Sequence, residues 1–296
     1  MSTRIQRWQD YRANLPLLSR LILYFTINRL YKIRNDYASH YITGDGYEIG
    51  AQNSPVSCNH ACKILYIDYL SKRESSQKYD IPENECVEVD IVADANNLDA
   101  IPSDSASFII ANHVLEHSPN PIGAILGWLR ILEAKGRLFL TLPNYKSNEF
   151  DFEKIPTPIN HFERDYERAK NKKDITTEHI YEHIQIIDGI DPTNEQIFKQ
   201  RYEAIIESNL HTHYHVFDRK NVLELLHVIH QKTPIMLVNT FSFDNSFELL
   251  LIIEKSDPEL HGPLTVRQDI LFNSAMLLKH IMLFLFNRIV LRRRSR

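Results

Sequence analysis

The fold is decided by a short segment of the chain, Tyr47-Glu48-Ile49-Gly50-Ala51-Gln52-Asn53. A β-rich run ends here at a glycine, which allows the backbone to turn sharply and to approach a ligand that a Cβ would obstruct. A helix after such a turn would offer free backbone amides to the ligand. An ordinary strand-to-helix turn also contains one glycine, so the segment alone leaves both interpretations open.

The next two β-rich runs both end in an acidic residue. Ile64-Leu65-Tyr66-Ile67 is followed by Asp68, about 20 residues after the turn, where a Rossmann unit places the acid that accepts both ribose hydroxyls. The run from Asp90 reaches Asp94, which is suitably placed to accept a hydrogen bond from an adenine amino group. The two acids therefore predict a nucleoside-binding edge.

Around this segment, short β-rich runs alternate with helical ones. A strong helix is expected at about 121–133, and a β-hairpin is expected from two further strands around the polar turn Phe243–Ser246. Such alternation predicts a parallel sheet with crossover helices. The predicted strands are Tyr47–Ile49, Lys63–Ile67, Val87–Val92, Phe108–Ala111, Arg137–Leu142, Leu237–Ser242 and Phe247–Ile253.

Taken together, residues 44–146 resemble the class I S-adenosylmethionine-dependent methyltransferases, and specifically the methyltransferase-11-like group that includes many bacterial enzymes of glycan gene clusters. The resemblance implies an α/β, Rossmann-like methyltransferase with a seven-stranded, mostly parallel sheet, a helical cap insertion and helical N- and C-terminal extensions. It also implies S-adenosyl-L-methionine as the cofactor.

The resemblance assigns roles to individual positions. Glu48, Gly50 and Ala51 would line the methionine part of the cofactor, and Asp68 would hold the ribose. Asp94 and Ala95 would edge the adenine, while Asn112 and His113 would face the methyl group. Of the two or three glycines usual in the turn only Gly50 remains, which would weaken cofactor affinity.

The sequence divides into five regions, which are an amphipathic helical extension over 1–40, a cofactor-binding core over 41–149, a helical cap over 150–209, the remainder of the core with the final hairpin over 210–255, and an apolar helix with a basic tail over 256–296.

Histidines are the candidates for the general base that a hydroxyl acceptor needs, because their ordinary pKa lies near working pH. His161 in the cap is the preferred base, with Asp165 four residues later to hold its ring, and His113 and His215 are the other candidates. On a strand, His211, His213 and His215 would point to one side, as a polar face, an acceptor-binding group or the ligands of a divalent metal. Among these interpretations we do not adopt the metal, and no residue is assigned as a metal ligand from the sequence.

Composition excludes several classes of protein. A net charge of -4 gives no electrostatic case for a nucleic-acid partner. Cys58, Cys62 and Cys86 form no disulfide framework, and even with His60 they fall short of the four ligands of a structural zinc site. No secretory signal is visible, so a cytoplasmic protein is expected.

The last stretch combines an apolar run, Met276–Leu291, with Arg292, Arg293, Arg294 and Arg296. This combination suits the surface of an anionic bilayer, which would place the protein at the inner membrane surface. Packing against the N-terminal helix or in a homodimer is the other interpretation.

The preferred function is O-methylation of a carbohydrate in surface polysaccharide or lipid-linked glycan biosynthesis. Methylation of a small molecule or a lipid is one alternative. A catalytically weakened scaffold in a glycan-assembly complex is the other.

Overall fold

The computed structural model describes residues 4–58, 62–208, 212–242, 246–257, 262–280 and 282. Its centre is an eight-stranded sheet in the order β3-β2-β1-β4-β5-β7-β6-β8, in which only β7 runs antiparallel to its neighbours. The strands are β1 (Gly44–Ile49), β2 (Cys62–Asp68), β3 (Ile91–Val92), β4 (Ala106–Asn112), β5 (Leu132–Pro143), β6 (Ile235–Phe241), β7 (Glu248–Lys255) and β8 (Thr265–Val266).

Nine α-helices lie among the described residues. They are α1 (Arg4–Asn14), α2 (Leu17–Tyr41), α3 (Lys72–Tyr79), α4 (Pro121–Ile131), α5 (Ile159–Lys170), α6 (Thr177–Ile186), α7 (Glu195–Ser208), α8 (Arg219–Lys232) and α9 (residues 270–280). The predicted Rossmann-like fold is confirmed, with one difference. The sheet has eight strands rather than seven, because the two-residue β8 pairs with β6.

Alternate side chains of the sheet supply two separate hydrophobic cores, as the two-residue period of a strand requires. Ile109 and Leu138 face one core, which also contains Trp128 of α4 and Leu225 of α8. Phe108, Ile110 and Phe139 face the opposite core, which is closed by α2 and α9. Both faces of the central strands are therefore covered, which explains their nearly continuous apolar sequence.

The N-terminal stretch differs from the single amphipathic helix expected for 1–40. It forms two helices, because Pro16 lies at the start of α2 and cannot continue α1. Phe25, Ile33 and Tyr37 of α2 are buried against the sheet, so this helix is a layer of the core rather than an appendage.

The helix expected after Gly50 is absent from the described residues 51–58. Only residues 50–61 join β1 to β2, Pro55 interrupts them, and Val56 packs into the core that α2 closes. Because α2 already covers this face of the sheet, no crossover helix is needed there.

The region after β5 is helical as predicted, with α5, α6 and α7 lying between residues 150 and 209. α5 packs against α4 and α8 of the core, whereas α6 packs against α7 around a small cluster of Ile180, Ile184, Phe198 and Ile205. Among the described residues, no helix is long and apolar enough to cross a membrane.

Candidate cofactor and acceptor site

A cavity of about 360 Å³ lies at the carboxyl ends of β1, β2, β3 and β4. The strand order reverses between β1 and β4, and open α/β sheets bind ligands at this switch point. Five of the eight residues predicted to bind the cofactor line the cavity, namely Gly50, Asp68, Asp94, Ala95 and His113.

Gly50 and Asp68 form the part of the cavity wall at the ends of β1 and β2. Gly50 has φ of +69°, and an added Cβ would lie 3.1 Å from Val114 Cγ2, so a side chain would strain the backbone and crowd the cavity wall. Asp68 Oδ1 accepts a hydrogen bond from Leu70 N at 3.1 Å. Burial raises the pKa of Asp68, although backbone amides nearby oppose the shift.

Asp94 and Ala95 are fixed by local hydrogen bonds at the end of β3. Asp94 Oδ1 accepts from the backbone N and from Nδ2 of Asn96, both at 2.8 Å. Trp128 Nε1 donates to the Ala95 carbonyl at 2.9 Å, and its indole also lines the cavity. The residues present therefore fit the ribose and adenine of S-adenosylmethionine.

The other three predicted cofactor residues, Glu48, Ala51 and Asn112, are not part of the cavity wall. Glu48 is buried and accepts hydrogen bonds from Val56 N at 3.0 and 3.1 Å and from Asn112 Nδ2 at 3.3 Å. Burial raises the pKa of Glu48 to about 8. Its carboxyl group thus fixes the segment after Gly50 rather than facing the cavity.

His113 is the one proposed catalytic histidine that lines the cavity. Its Nε2 lies 3.1 Å from Glu248 Oε2, and Glu248 also pairs with Arg34, whose Nε is 3.1 Å from the same oxygen. Burial would raise the pKa of Glu248, but Arg34 and His113 outweigh this effect and lower it. A buried ionised carboxylate therefore orients the His113 ring.

A second group of polar side chains lies next to His113. Glu116 is fully buried, and within the described part of the chain neither of its carboxylate oxygens has a hydrogen-bond partner. Its Oε1 is 3.8 Å from His113 Nδ1. One ligand atom each of Glu116, His117 and His213 lie within 4.8 Å of one another, and His117 lines the cavity.

His161 and His215 do not line the cavity. The expected proximity of His161 and Asp165 on one helix is present, since His161 Nε2 lies 3.1 Å from Asp165 Oδ2 within α5, although the two atoms do not form a hydrogen bond. The same oxygen lies 3.1 Å from His215 Nε2 and 3.2 Å from His179 Nε2. His215 is fully buried, which lowers its pKa to about 4 and prevents contact with an acceptor in the cavity.

The expectation that His211, His213 and His215 share one face of a strand is wrong for the described pair. Residues 212–217 form no strand beyond an isolated bridge at Phe217, and the two histidines contact different carboxylates. His213 Nδ1 lies 2.7 Å from Asp151 Oδ2, whereas His215 contacts Asp165. His211 lies outside the described residues, as does His60 between the cysteines.

Sequence reasoning missed Arg34, Glu248 and Glu116. Nothing local marks them, because each gains its role from a partner that is distant along the chain or from burial. The one available signal was a charged residue inside an otherwise apolar run, as for Glu248 at the start of β7 and Arg34 on the buried face of α2.

Comparison with known proteins gives a match to one family profile, described as a methyltransferase domain, over residues 46–140. No curated protein matches the chain. The family match spans about a third of the chain and covers β1 to β5, which contribute most of the cavity wall.

Solved structures with a similar chain path include three from different organisms. One is described as an S-adenosylmethionine-dependent methyltransferase of Methanococcus maripaludis, with 15% identity over 82% of this chain and 92% of that one and a TM-score of 0.42. Another, from Thermotoga maritima, is described as an S-adenosylmethionine-dependent methyltransferase and possible histamine N-methyltransferase, with 14% identity, 80% and 92% coverage and a TM-score of 0.42. A third, from Rhodobacter sphaeroides and described as a zinc-dependent alcohol dehydrogenase, has 14% identity, 76% and 90% coverage and a TM-score of 0.43. Similarities this distant carry no conclusion about activity.

The family match and the cavity agree on the same strand ends. Gly50, Asp68 and Asp94 lie within the matched residues and line the cavity. Residues 46–140 therefore form a methyltransferase domain, and its cofactor is S-adenosylmethionine.

Proposed function

We propose that this methyltransferase methylates a hydroxyl group of a carbohydrate in the assembly of a surface polysaccharide or its lipid-linked precursor. The observation that carries the O-methylation is the position of His113, in the cavity wall with its ring held by the buried Glu248. The carbohydrate acceptor rests on the resemblance to proteins of glycan gene clusters.

S-adenosylmethionine supplies an electrophilic methyl group on a sulfonium, so this chain's residues must align the acceptor and remove its proton. His113 Nε2 donates to Glu248, which leaves Nδ1 as the nitrogen that accepts the proton. Glu116 Oε1, 3.8 Å from Nδ1, would stabilise the positive charge that then develops on the ring.

The cavity wall also contains hydrogen-bonding side chains, which suits a polyhydroxylated acceptor. These side chains are Asn96, His117, Ser118, Thr176 and Tyr214.

Methyl labelling tests the acceptor. Purified protein and S-adenosylmethionine with a labelled methyl group are added to extracts of cells that lack the gene, and the products are separated into lipid-linked glycan, free polysaccharide, lipid and small-molecule fractions. We expect label in a glycan fraction, released as an O-methyl sugar on acid hydrolysis. Label confined to lipids or small molecules would contradict the carbohydrate acceptor.

Calorimetry with S-adenosylmethionine and its demethylated product separates an enzyme from a weakened scaffold. We expect both to bind in the low-micromolar to sub-millimolar range, about -8 to -4 kcal/mol. Binding without label transfer to any fraction would favour the scaffold.

A further inference from the structure

We propose that His161, Asp165, His179 and His215 form a binding site for a divalent metal ion of the zinc type, which fastens the helical cap to the core. The four ligand atoms lie within 4.8 Å of one another and converge from three separate parts of the chain. His161 and Asp165 lie on α5, His179 lies on α6, and His215 lies in the segment before α8.

The three distances from Asp165 agree with a tetrahedral site. Asp165 Oδ2 is 3.1 Å from His161 Nε2, 3.2 Å from His179 Nε2 and 3.1 Å from His215 Nε2. Zinc bonds of 2.0–2.1 Å at the tetrahedral angle place neighbouring ligand atoms roughly 3.3 Å apart. The carboxylate oxygen thus already has nearly the separation from each imidazole nitrogen that one shared ion would impose.

The hydrogen bonding of His215 also points to a cation. Its Nδ1 lies 3.0 Å from the Ser118 carbonyl oxygen, which can only accept, so Nδ1 carries a proton. In the neutral ring Nε2 then has a lone pair, and this lone pair faces an oxygen of the Asp165 carboxylate. A metal ion between them would turn repulsion into attraction, and a backbone carbonyl on the other ring nitrogen is the usual arrangement of a metal-bound histidine.

His179 is the second independent sign. It is 3% exposed, and within the described part of the chain neither of its ring nitrogens has a hydrogen-bond partner. His161 Nε2 likewise has none, despite its short distance to Asp165, because the direction of the contact does not suit a hydrogen bond. Buried polar atoms without partners are costly, and coordination to one ion would satisfy Nε2 of both histidines.

The site would have four protein ligands and no open position, which is typical of a structural metal site rather than a catalytic one. It lies where the cap is otherwise weakly held, since α6 and α7 share only a small hydrophobic cluster. Thr176 and Tyr214 line the cofactor cavity, and each is within three residues of a ligand. The ion would therefore also fix one wall of the cavity.

Metal analysis of the full chain, purified without a histidine tag, is the direct test. Elemental analysis should find about one zinc per chain. Its removal by a chelator should lower the Tm by several degrees, and adding Zn²⁺ back should restore it, whereas Mg²⁺ should not. Cobalt(II) in its place should give the visible absorption bands of a tetrahedral site.

Matched variants locate the ion. His179→Ala and Asp165→Asn should lose the metal and the chelator-sensitive part of the Tm. His183→Ala, on the same helix and outside the cluster, and His213→Gln, in the neighbouring cluster with Glu116, should keep both.

Two results would overturn the proposal, and the first does not depend on the folding of any variant. One is wild-type protein without metal whose Tm does not respond to Zn²⁺, or responds only at the millimolar concentrations of an adventitious ion. The other is metal lost in His213→Gln but retained in His179→Ala, which would move the site to Glu116, His117 and His213. Cofactor binding and methyl transfer do not enter either result, so the outcome is independent of the proposed function.

Discussion

The two sides of the cavity are built in different ways. On the cofactor side, Gly50, Asp68 and Asp94 each lie at the end of a strand or just beyond it, in a sheet of consecutive parallel strands. On the acceptor side, His113 acquires its orientation from Glu248, which is 135 residues away and is itself paired with Arg34 on α2. The first side depends on local sequence and topology, whereas the second depends on contacts that exist only after folding.

This difference predicts different responses to substitution. Changes on the cofactor side should weaken binding of S-adenosylmethionine, because these residues line the proposed cofactor site. Changes around His113 should reduce methyl transfer with little effect on cofactor binding, because His113 is the proposed base for the acceptor's proton. Each of the following substitutions tests one side.

His113→Gln should have the largest effect, a loss of roughly 10²–10⁴-fold in the rate of methyl transfer, because it removes the proposed base. Calorimetry should show cofactor affinity within a few fold of the wild type. Glu248→Gln should reduce transfer less, since the ring remains but loses its charged partner.

His161 provides the control for this assignment. If His161→Ala abolishes transfer while the metal content stays at the wild-type level, and His113→Gln is nearly normal, the base is His161. The acceptor side would then lie in the cap.

Gly50→Val should lower S-adenosylmethionine affinity by roughly 100-fold or more, because a β-branched side chain is strained at φ of +69° and would crowd Val114. Gly127→Val is the matched control, since a Cβ at Gly127 would meet no atom within 4 Å. Calorimetry on both variants would show whether the effect is specific, and equal affinity would remove Gly50 from the cofactor side.

The sequence predicts most of this side because the signals are periodic and local. The positions of the strands along the chain follow from the alternation of apolar runs, and the role of Asp68 follows from the spacing of one Rossmann unit. Glu48, Ala51 and Asn112 are the exceptions, because they do not line the cavity. Glu48 shows why. β1 ends at Ile49 and the backbone turns at Gly50, which has φ of +69°, so the two-residue period of the strand does not continue to Gly50, and the sequence alone does not show that the Glu48 carboxyl group points to Val56.

The cap could be predicted as helical, but its contacts could not. The spacing of His161 and Asp165 implies a contact on one helix, and the structure confirms it. Nothing in the sequence indicates that His179 and His215 reach the same oxygen, because that requires the packing of α6 and of residues 212–217 around α5. Likewise, α2 was expected as an extension because amphipathic spacing does not reveal what the apolar face packs against.

Asp68→Ala should weaken S-adenosylmethionine binding by at least about tenfold, or about 1.4 kcal/mol, through loss of the bonds to the ribose. Because burial raises the pKa of Asp68, wild-type affinity should fall on acidification at a higher pH than for an ordinary aspartate. Titration of the affinity against pH checks both points. A pH dependence that persists unchanged in Asp68→Asn would assign it to another group.

Glu48 should change stability rather than binding. Its folded pKa of about 8 lies above the ordinary 4.5, so the folded state holds a proton that the unfolded state releases between these values. The stability from this group is therefore complete below about pH 4.5, falls as pH rises, and is lost above about pH 8, with a slope of at most about 1.4 kcal/mol per pH unit.

Glu48→Gln removes this dependence and keeps an oxygen for the Val56 amide. Urea unfolding at pH 6 and at pH 8.5 should show the variant gaining stability relative to the wild type at the higher pH. A constant difference would mean that Glu48 ionises normally.

Truncation at the C-terminus should have the smallest effect on the catalytic domain, and its result depends on where the cut is made. Asn273 bonds to Tyr37 and Asn239, and Phe272 packs on Tyr37, so removal of residues 271–296 should lower the Tm by breaking these contacts. Removal of 283–296 alone leaves these contacts in place, so the Tm should be unchanged and the cofactor affinity should stay within a few fold of the wild type.

The shorter truncation also removes Arg292, Arg293, Arg294 and Arg296. Each basic residue near an anionic surface contributes about 1 kcal/mol, so flotation with anionic vesicles should decrease in this variant and, for the wild type, should fall with added salt. Equal flotation of both forms, together with a fall in dimer content after the shorter cut, would instead assign this segment to a contact between two copies of the chain.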